Sequence, residues 1–147
     1  MQGNLPPEVD GVRQRLVDEW VVRPNDLDAC VKGAAAIFQG FREVLKPMLG
    51  EAAMRAIFSR TISLVKREQP RLGNLSVLDS GLDVRPLRKA LAGASDEEWR
   101  EVLRTLVDQL FTVVHGLLGQ VVVWLLPEVE AQMSEYQKSP CAHEEEK

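Results

Sequence analysis

The sequence predicts an all-α fold, a compact bundle of four main helices and one short helix around a long apolar helix near the C-terminal end. Apolar side chains recur at spacings of three and four through most of the chain, the mark of one buried face per helix. Prolines and N-cap residues cut that pattern into helix-length pieces. Only Val121, Val122 and Val123 suggest a strand, and the helical spacing continues through them.

Val9, Val12, Leu16 and Trp20 form the face of a first helix, entered through Pro6 and Pro7 and ended by Pro24. Asn25 and Asp26 offer N-cap oxygens to a second helix with a wide apolar face from Leu27 to Met48, on which Gly33 and Gly40 let a neighbouring helix approach closely. Pro47 and Gly50 interrupt the pattern and place a tight connection there. A third helix, Glu51 to Arg67, turns Met54, Ile57, Phe58, Thr61, Ile62 and Val65 to one side before Pro70 stops it. The stretch from Arg71 to Asp83 reads as a connection pinned to the core by Leu72, Leu75, Val77, Leu78 and Leu82. A short helix, Val84 to Ala92, carries Pro86 in its first turn. Ser95 and Glu98 then form a capping box, with Asp96 and Glu97 at the positive end of the helix dipole. From Trp99 the apolar spacing persists to Pro127, so one helix from Ser95 to Leu126 is expected at the centre of the bundle, with room for a turn or two more after Pro127. Residues 1–133 make a single domain on this reading, and 134–147, with Pro140 and Glu144 to Glu146, an acidic, disordered tail.

At 147 residues, 45% apolar and 27% charged, the chain buries its own core, and ten Gly and eight Pro exclude collagen-like and low-complexity classes. The net charge of -4 opposes coating of nucleic acid or an anionic membrane. Cys30 lies on an apolar stripe and Cys141 in the polar tail, so a disulfide between them is not expected. Met1 to Asp10 lacks the basic and apolar regions of a signal peptide, which makes the cytoplasm the expected compartment. Leu110 to Leu126 is 17 residues without a formal charge when His115 is neutral, short of the about 20 that cross a bilayer. Asp108 and Glu128 flank it with no Lys or Arg cluster, so a buried helix is preferred and a membrane-associated protein is kept as an alternative.

No phosphate-cradling glycine motif and no zinc-hydrolase, redox or serine-hydrolase signature occurs, so no catalytic residue, metal or cofactor is assigned and the chain is not expected to be an enzyme. His115, mid-helix among Val113, Val114, Leu117 and Leu118, is the one cofactor candidate. A pocket beside it would suit a small-molecule or haem sensor, while a core histidine hydrogen-bonded to a neighbour is the commoner use. Cys141 and His143 beside three glutamates make an incomplete metal site. Glu97, Glu98 and Glu101 resemble paired acids, and dipole compensation explains them. Asp79 and Asp83 flank a glycine and suit turn and N-cap duty better than cation binding.

Charge is more informative. Between Met54 and Ala92, eight basic residues stand against Glu68, Asp79 and Asp83, so this third of the chain is positive within an acidic whole. Arg55, Arg60, Arg67, Arg71, Arg85, Arg88 and Lys89 are the candidate contact residues for an acidic or phosphorylated protein partner. Nucleic acid fits poorly, because no aromatics interleave the basic residues. Trp20, Trp99 and Trp124 lie near helix ends or prolines, where a ring anchors a partner or caps the core. The expected function is a non-enzymatic protein-interaction or regulatory module, adaptor-like, binding a partner or a second copy of itself.

The stretch Pro47-Met48-Leu49-Gly50-Glu51-Ala52-Ala53-Met54-Arg55-Ala56-Ile57-Phe58-Ser59-Arg60, with Gln69-Pro70-Arg71-Leu72 after it, resembles a pattern in small all-helical bacterial proteins of no assigned activity. There, Leu-x-Gly-Glu precedes an apolar helix carrying Arg-Ala-Leu-x-x-Arg, and Pro-x-Leu closes it. The long helix running into Leu125 and Leu126 is similar as well. The resemblance implies a bacterial origin and an all-α fold, and transfers no site.

Overall fold

Pro7 with Glu8 and Asp10 in the first turn starts α1 (Pro7–Leu16), where a fixed φ and early carboxylates favour a helix N-terminus. In the computed structural model, which describes residues 6–23, 26–73, 75, 77–78 and 81–137, α1 runs directly into a π-helical turn, Val17–Val22. Arg23 N donates to Asp18 O five residues back, at 2.8 Å. The Asp26 carboxylate accepts from Ala29 N at 2.7 Å and caps α2 (Leu27–Leu49). One residue, Gly50, joins it to α3 (Glu51–Glu68). A 3-10 turn at Pro70–Leu72 and a two-residue antiparallel ladder follow. In the ladder β1 (Val77–Leu78) meets β2 (Gly81–Leu82), with Val77 opposite Leu82 and Leu78 opposite Gly81. Leu72, Leu75 and Leu82 are buried, so this connection is pinned to the core as its leucines require. Asp83 accepts from Arg85 N at 3.2 Å and caps α4 (Val84–Leu91). The capping box forms with both bonds, Glu98 N to Ser95 Oγ at 3.2 Å and Ser95 N to Glu98 Oε1 at 3.0 Å, and opens α5 (Asp96–Leu118). α6 (Val121–Gln137) ends the described chain, and the fold is all-helical.

The expected single helix from Ser95 to Leu126 is two helices. Gly119 takes φ +62 and ψ -137, a conformation open mainly to glycine, and its N–H donates to His115 O at 2.7 Å to close α5. The apolar spacing carries no sign of this break, because each helix restarts the same pattern on its own side of the elbow. Nor does Pro127 end a helix. It lies inside α6, which Val122, Leu126, Val129 and Met133 hold to the core along one face and which runs on to Gln137, beyond the expected start of the tail at 134. Likewise α2 continues through Pro47 to Leu49. The first helix stops short of Pro24, which with residues 138–147 lies outside the described residues. No helix among the described residues is long and apolar enough to cross a membrane, since the uncharged run from Leu110 to Leu126 is divided by the elbow.

α2 is the element that the others share: it packs on the π-helical turn, α3, α4, β2, α5 and α6. Its apolar face is wide enough for this, with Cys30, Val31, Ala34, Ile37, Phe38, Phe41 and Leu45 all buried. Phe38 meets Phe58 of α3 at 5.2 Å between ring centroids, and Phe41 meets Phe111 of α5 edge-on at 5.1 Å. Two positions have no room for a side chain. A methyl group built on Gly33 would overlap the Trp20 carbonyl oxygen and lie 2.7 Å from its carbon. One built on Gly40 would lie 2.8 Å from both Val129 O and Met133 Cγ of α6.

Ion pairs fasten α1 to this frame. Arg15 makes a bidentate pair with Glu130 of α6, at 2.9 and 2.7 Å. Arg13 bonds Asp10 at 2.6 Å and reaches Asp108 of α5. Burial opposes the charge on Arg13, but Asp10 and Asp108 outweigh it and leave its pKa raised. Asp108 moves upward too: burial raises its pKa more than Arg13 lowers it.

Gly33→Ala should lower stability by about 2 kcal/mol or more and Gly40→Ala by about 1–3 kcal/mol, whereas Gly11→Ala, where a methyl meets nothing within 4 Å, should raise it by about 0.5–1 kcal/mol. Urea unfolding midpoints check all three. Because native Asp108 keeps a proton that the unfolded chain releases near 3.8, its contribution falls as pH climbs from that value through the raised native pKa. Wild type should therefore lose more stability than Asp108→Asn as pH rises from about 4 toward neutrality, read from paired urea titrations.

Candidate functional site

Beside its buried face, α3 carries a second stripe, Ala53, Ala56, Arg60 and Leu64, at offsets of 0, 3, 7 and 11. Ala53 and Ala56 are too small to seal the seam with α5. The result is an open furrow of about 610 Å³, walled by Ala53, Ala56, Ile57, Arg60 and Leu64 from α3 and by Thr112, Val113, Gly116 and Leu117 from α5. The Thr112 hydroxyl is committed to Asp108 O at 2.9 Å. Arg60 is the one charge in the lining. Among the described residues it has no carboxylate or hydrogen-bond partner.

Ala53 follows the Gly50 elbow and Leu117 precedes the Gly119 elbow, so a furrow lined by both puts the two elbows at one end of the bundle. The exposed large apolar side chains gather there: Met48 at 52%, Leu117 at 59%, Val121 at 39% and Trp124 at 79%. Beside them Glu51 faces three cations, Lys46 at 3.2 Å, Arg55 at 3.8 Å and Arg42 at 3.9 Å. The rim of this apolar end is thus basic, although Arg42 also meets Glu43 at 3.4 Å.

Of the seven basic candidates, Arg55, Arg71, Arg85 and Arg88 stand within 4.0 Å of Glu51, Glu98, Asp83 and Asp28. Arg88 Nε is enclosed and 2.8 Å from Asp28 Oδ1 but out of hydrogen-bonding alignment, so that contact is an ion pair alone. Pairs this exposed add little to stability. Their consequence is that much of the positive charge between Met54 and Ala92 is met locally. Arg60, Arg67 and Lys89 have no partner among the described residues.

His115 is half-buried in the last turn of α5 and is not part of the furrow wall, although Thr112, Val113, Gly116 and Leu117 around it are. The furrow thus runs past His115 without the imidazole in its lining. Glu97, Glu98 and Glu101 line a shallow cleft of about 260 Å³ with Arg71 and Gln69. The Ser95 N–H donates to Glu98 and, with Arg71 nearby, lowers its pKa, the opposite of what a general acid needs. Among the described residues no group of three His, Cys, Asp or Glu side chains could hold a metal ion. Asp79, Cys141 and His143 lie outside them.

Two tryptophans turn inward. Trp99 is buried, donates from Nε1 to Asp96 at 3.2 Å and carries the Arg100 guanidinium 4.5 Å above its ring. Trp20 is half-buried with its carbonyl against Gly33. Only Trp124 of the three stands free in solvent. The furrow itself escaped the sequence reading, which attended to the larger side chains of α3; Ala53 and Ala56 at helical spacing, in line with Arg60 and Leu64, were the signal that marks it.

No protein-family model, curated protein or solved structure matches this chain. The resemblance carried by Pro47 to Arg60 thus rests on those residues alone.

Cys30 is a buried thiol whose pKa burial pushes up to about 11. In a Cys141→Ser background it should resist a thiol-specific reagent near neutral pH and react only as the chain unfolds, so that labelling followed by mass spectrometry tracks global unfolding.

Proposed function

We propose that this chain is a non-enzymatic protein-interaction module that docks a partner on the apolar end of its bundle. The observation that carries this is the exposure of Trp124 at 79%, with Leu117, Met48 and Val121 around the same pair of elbows, in a molecule whose other large apolar side chains are mostly withdrawn. An indole held out in water costs solvation and returns nothing to the fold. Against a partner it supplies the kind of aromatic anchor on which binding energy concentrates.

The rim argues for the partner's chemistry. Three cations, Arg42, Lys46 and Arg55, stand against two carboxylates, Glu43 and Glu51, beside the apolar centre, so a protein surface with an apolar middle and acidic edge is complementary. This narrows the broad basic surface expected from Arg55 to Lys89. Arg55, Arg71, Arg85 and Arg88 are all matched within the chain, and of these Arg55, with its partner Glu51, stands at the edge of the apolar end. A regulatory, adaptor-like role agrees with a contact surface that is not joined to catalytic groups.

Trp124→Asp and Leu117→Asp should fold with the wild-type melting temperature, because both side chains are largely in water. The protein that wild type recovers from a lysate should bind either variant about 30-fold more weakly or worse, as loss of an anchor of about 2 kcal/mol implies. Equal binding by the variants removes the apolar end as the contact. Light scattering across protein concentrations identifies the case in which the partner is a second copy.

A further inference from the structure

We infer that the furrow between α3 and α5 is a binding site for a single-chain amphiphile with a carboxylate head, the head on Arg60 and the alkyl chain running toward Leu117. This goes beyond docking at the end of the bundle and is tested separately from it.

Four observations converge. The furrow's volume of about 610 Å³ falls in the range of small-molecule sites, about 300–1,000 Å³. Its floor and walls are apolar, with Ile57 and Val113 behind and Ala53 and Ala56 leaving the space open. Gly116 adds to that space, since a methyl group there meets nothing within 4 Å. Finally, the lining carries one charge, and among the described residues that guanidinium has no partner. An apolar trench with a single cation at its side is complementary to one anionic head and one hydrocarbon tail.

Length and geometry agree. Seven residues of helix separate Arg60 from Ala53, about 10 Å at 1.5 Å per residue, the reach of a medium-length alkyl chain. A guanidinium presents two parallel N–H donors that match a carboxylate bidentately. An ammonium head would be repelled, and an alcohol would leave the guanidinium unpaired. Haem is a poor match, because the His115 imidazole is not presented to the furrow.

Isothermal titration of the full chain with octanoate should give saturable binding at one site per chain. Hexanoate should bind more weakly, by about fourfold for each methylene removed. Octanol should bind at least tenfold more weakly than octanoate, and octylammonium should not bind at the site. Arg60→Met should weaken octanoate at least tenfold and Ala56→Trp should abolish binding, while Arg67→Gln, outside the furrow wall, should leave it unchanged. Arg60 and Ala56 are exposed, so circular dichroism should show wild-type helicity in both variants. Trp124→Asp should retain octanoate binding, so that failure of the docking surface and failure of the furrow are read independently. The inference is overturned by the absence of saturable binding, by equal affinity for octylammonium, by an undiminished affinity in Arg60→Met, or by recruitment to phosphatidylglycerol vesicles without octanoate binding.

Discussion

The architecture depends on how closely other backbone can approach α2. Helix axes ordinarily stand apart by the thickness of their side chains. At Gly33 and Gly40 that thickness vanishes, and the Trp20 carbonyl and the Val129 and Met133 turns of α6 occupy the space. The two glycines lie on the same wide face that carries Phe38 and Phe41, so one helix receives α6 and the π-helical turn closely while holding α3 and α5 through aromatic rings. Large and small positions on one face thus set different distances to different neighbours.

That arrangement fixes what is left outside. α6 can lie along α2 only if the chain reverses after α5, and Gly119 makes the reversal in a conformation costly for other residues. Reversal divides the uncharged run between two helices. Leu110, Phe111, Val114, Val122 and Leu126 go inward, while Leu117, Val121 and Trp124 are carried around the outside of the bend. The apolar end is therefore a product of the same turn that lets the core close. The furrow has a related origin, because α3 meets α5 through its larger side chains and leaves its alanine stripe uncovered.

Most of the helical plan was legible in the sequence, since it rests on spacing and on caps that act locally. The Ser95 and Glu98 capping box, the Asp26 cap, the Gly50 connection and the closeness required at Gly33 and Gly40 all follow from residue type at a known offset. What escaped depends on long-range geometry. The elbow at Gly119 is invisible to periodicity because both helices flanking it are apolar, and one glycine in such a run reads as a packing residue as readily as a break. Pro127 and Pro47 were given too much weight, since a helix held by buried side chains on either side tolerates a missing N–H at an exposed position. The basic candidates looked collective in sequence because charge was counted along the chain, whereas Asp28, Glu51 and Glu98 reach several of them from other elements or turns. For the site, Trp124 was one of three tryptophans considered and Arg60 one of seven basic candidates. Their surroundings were not considered, because a furrow is defined by missing bulk and a pattern search follows bulk.

The spacing of Gly33 and Gly40 has a bearing on how α2 responds to change. Seven residues is about two turns of α-helix, so both vacancies recur on one line along the helix. A side chain at Gly33 meets the Trp20 carbonyl, which is backbone, whereas one at Gly40 meets the Val129 carbonyl together with the more yielding side chains of Val129 and Met133, so the first vacancy is the stricter of the two.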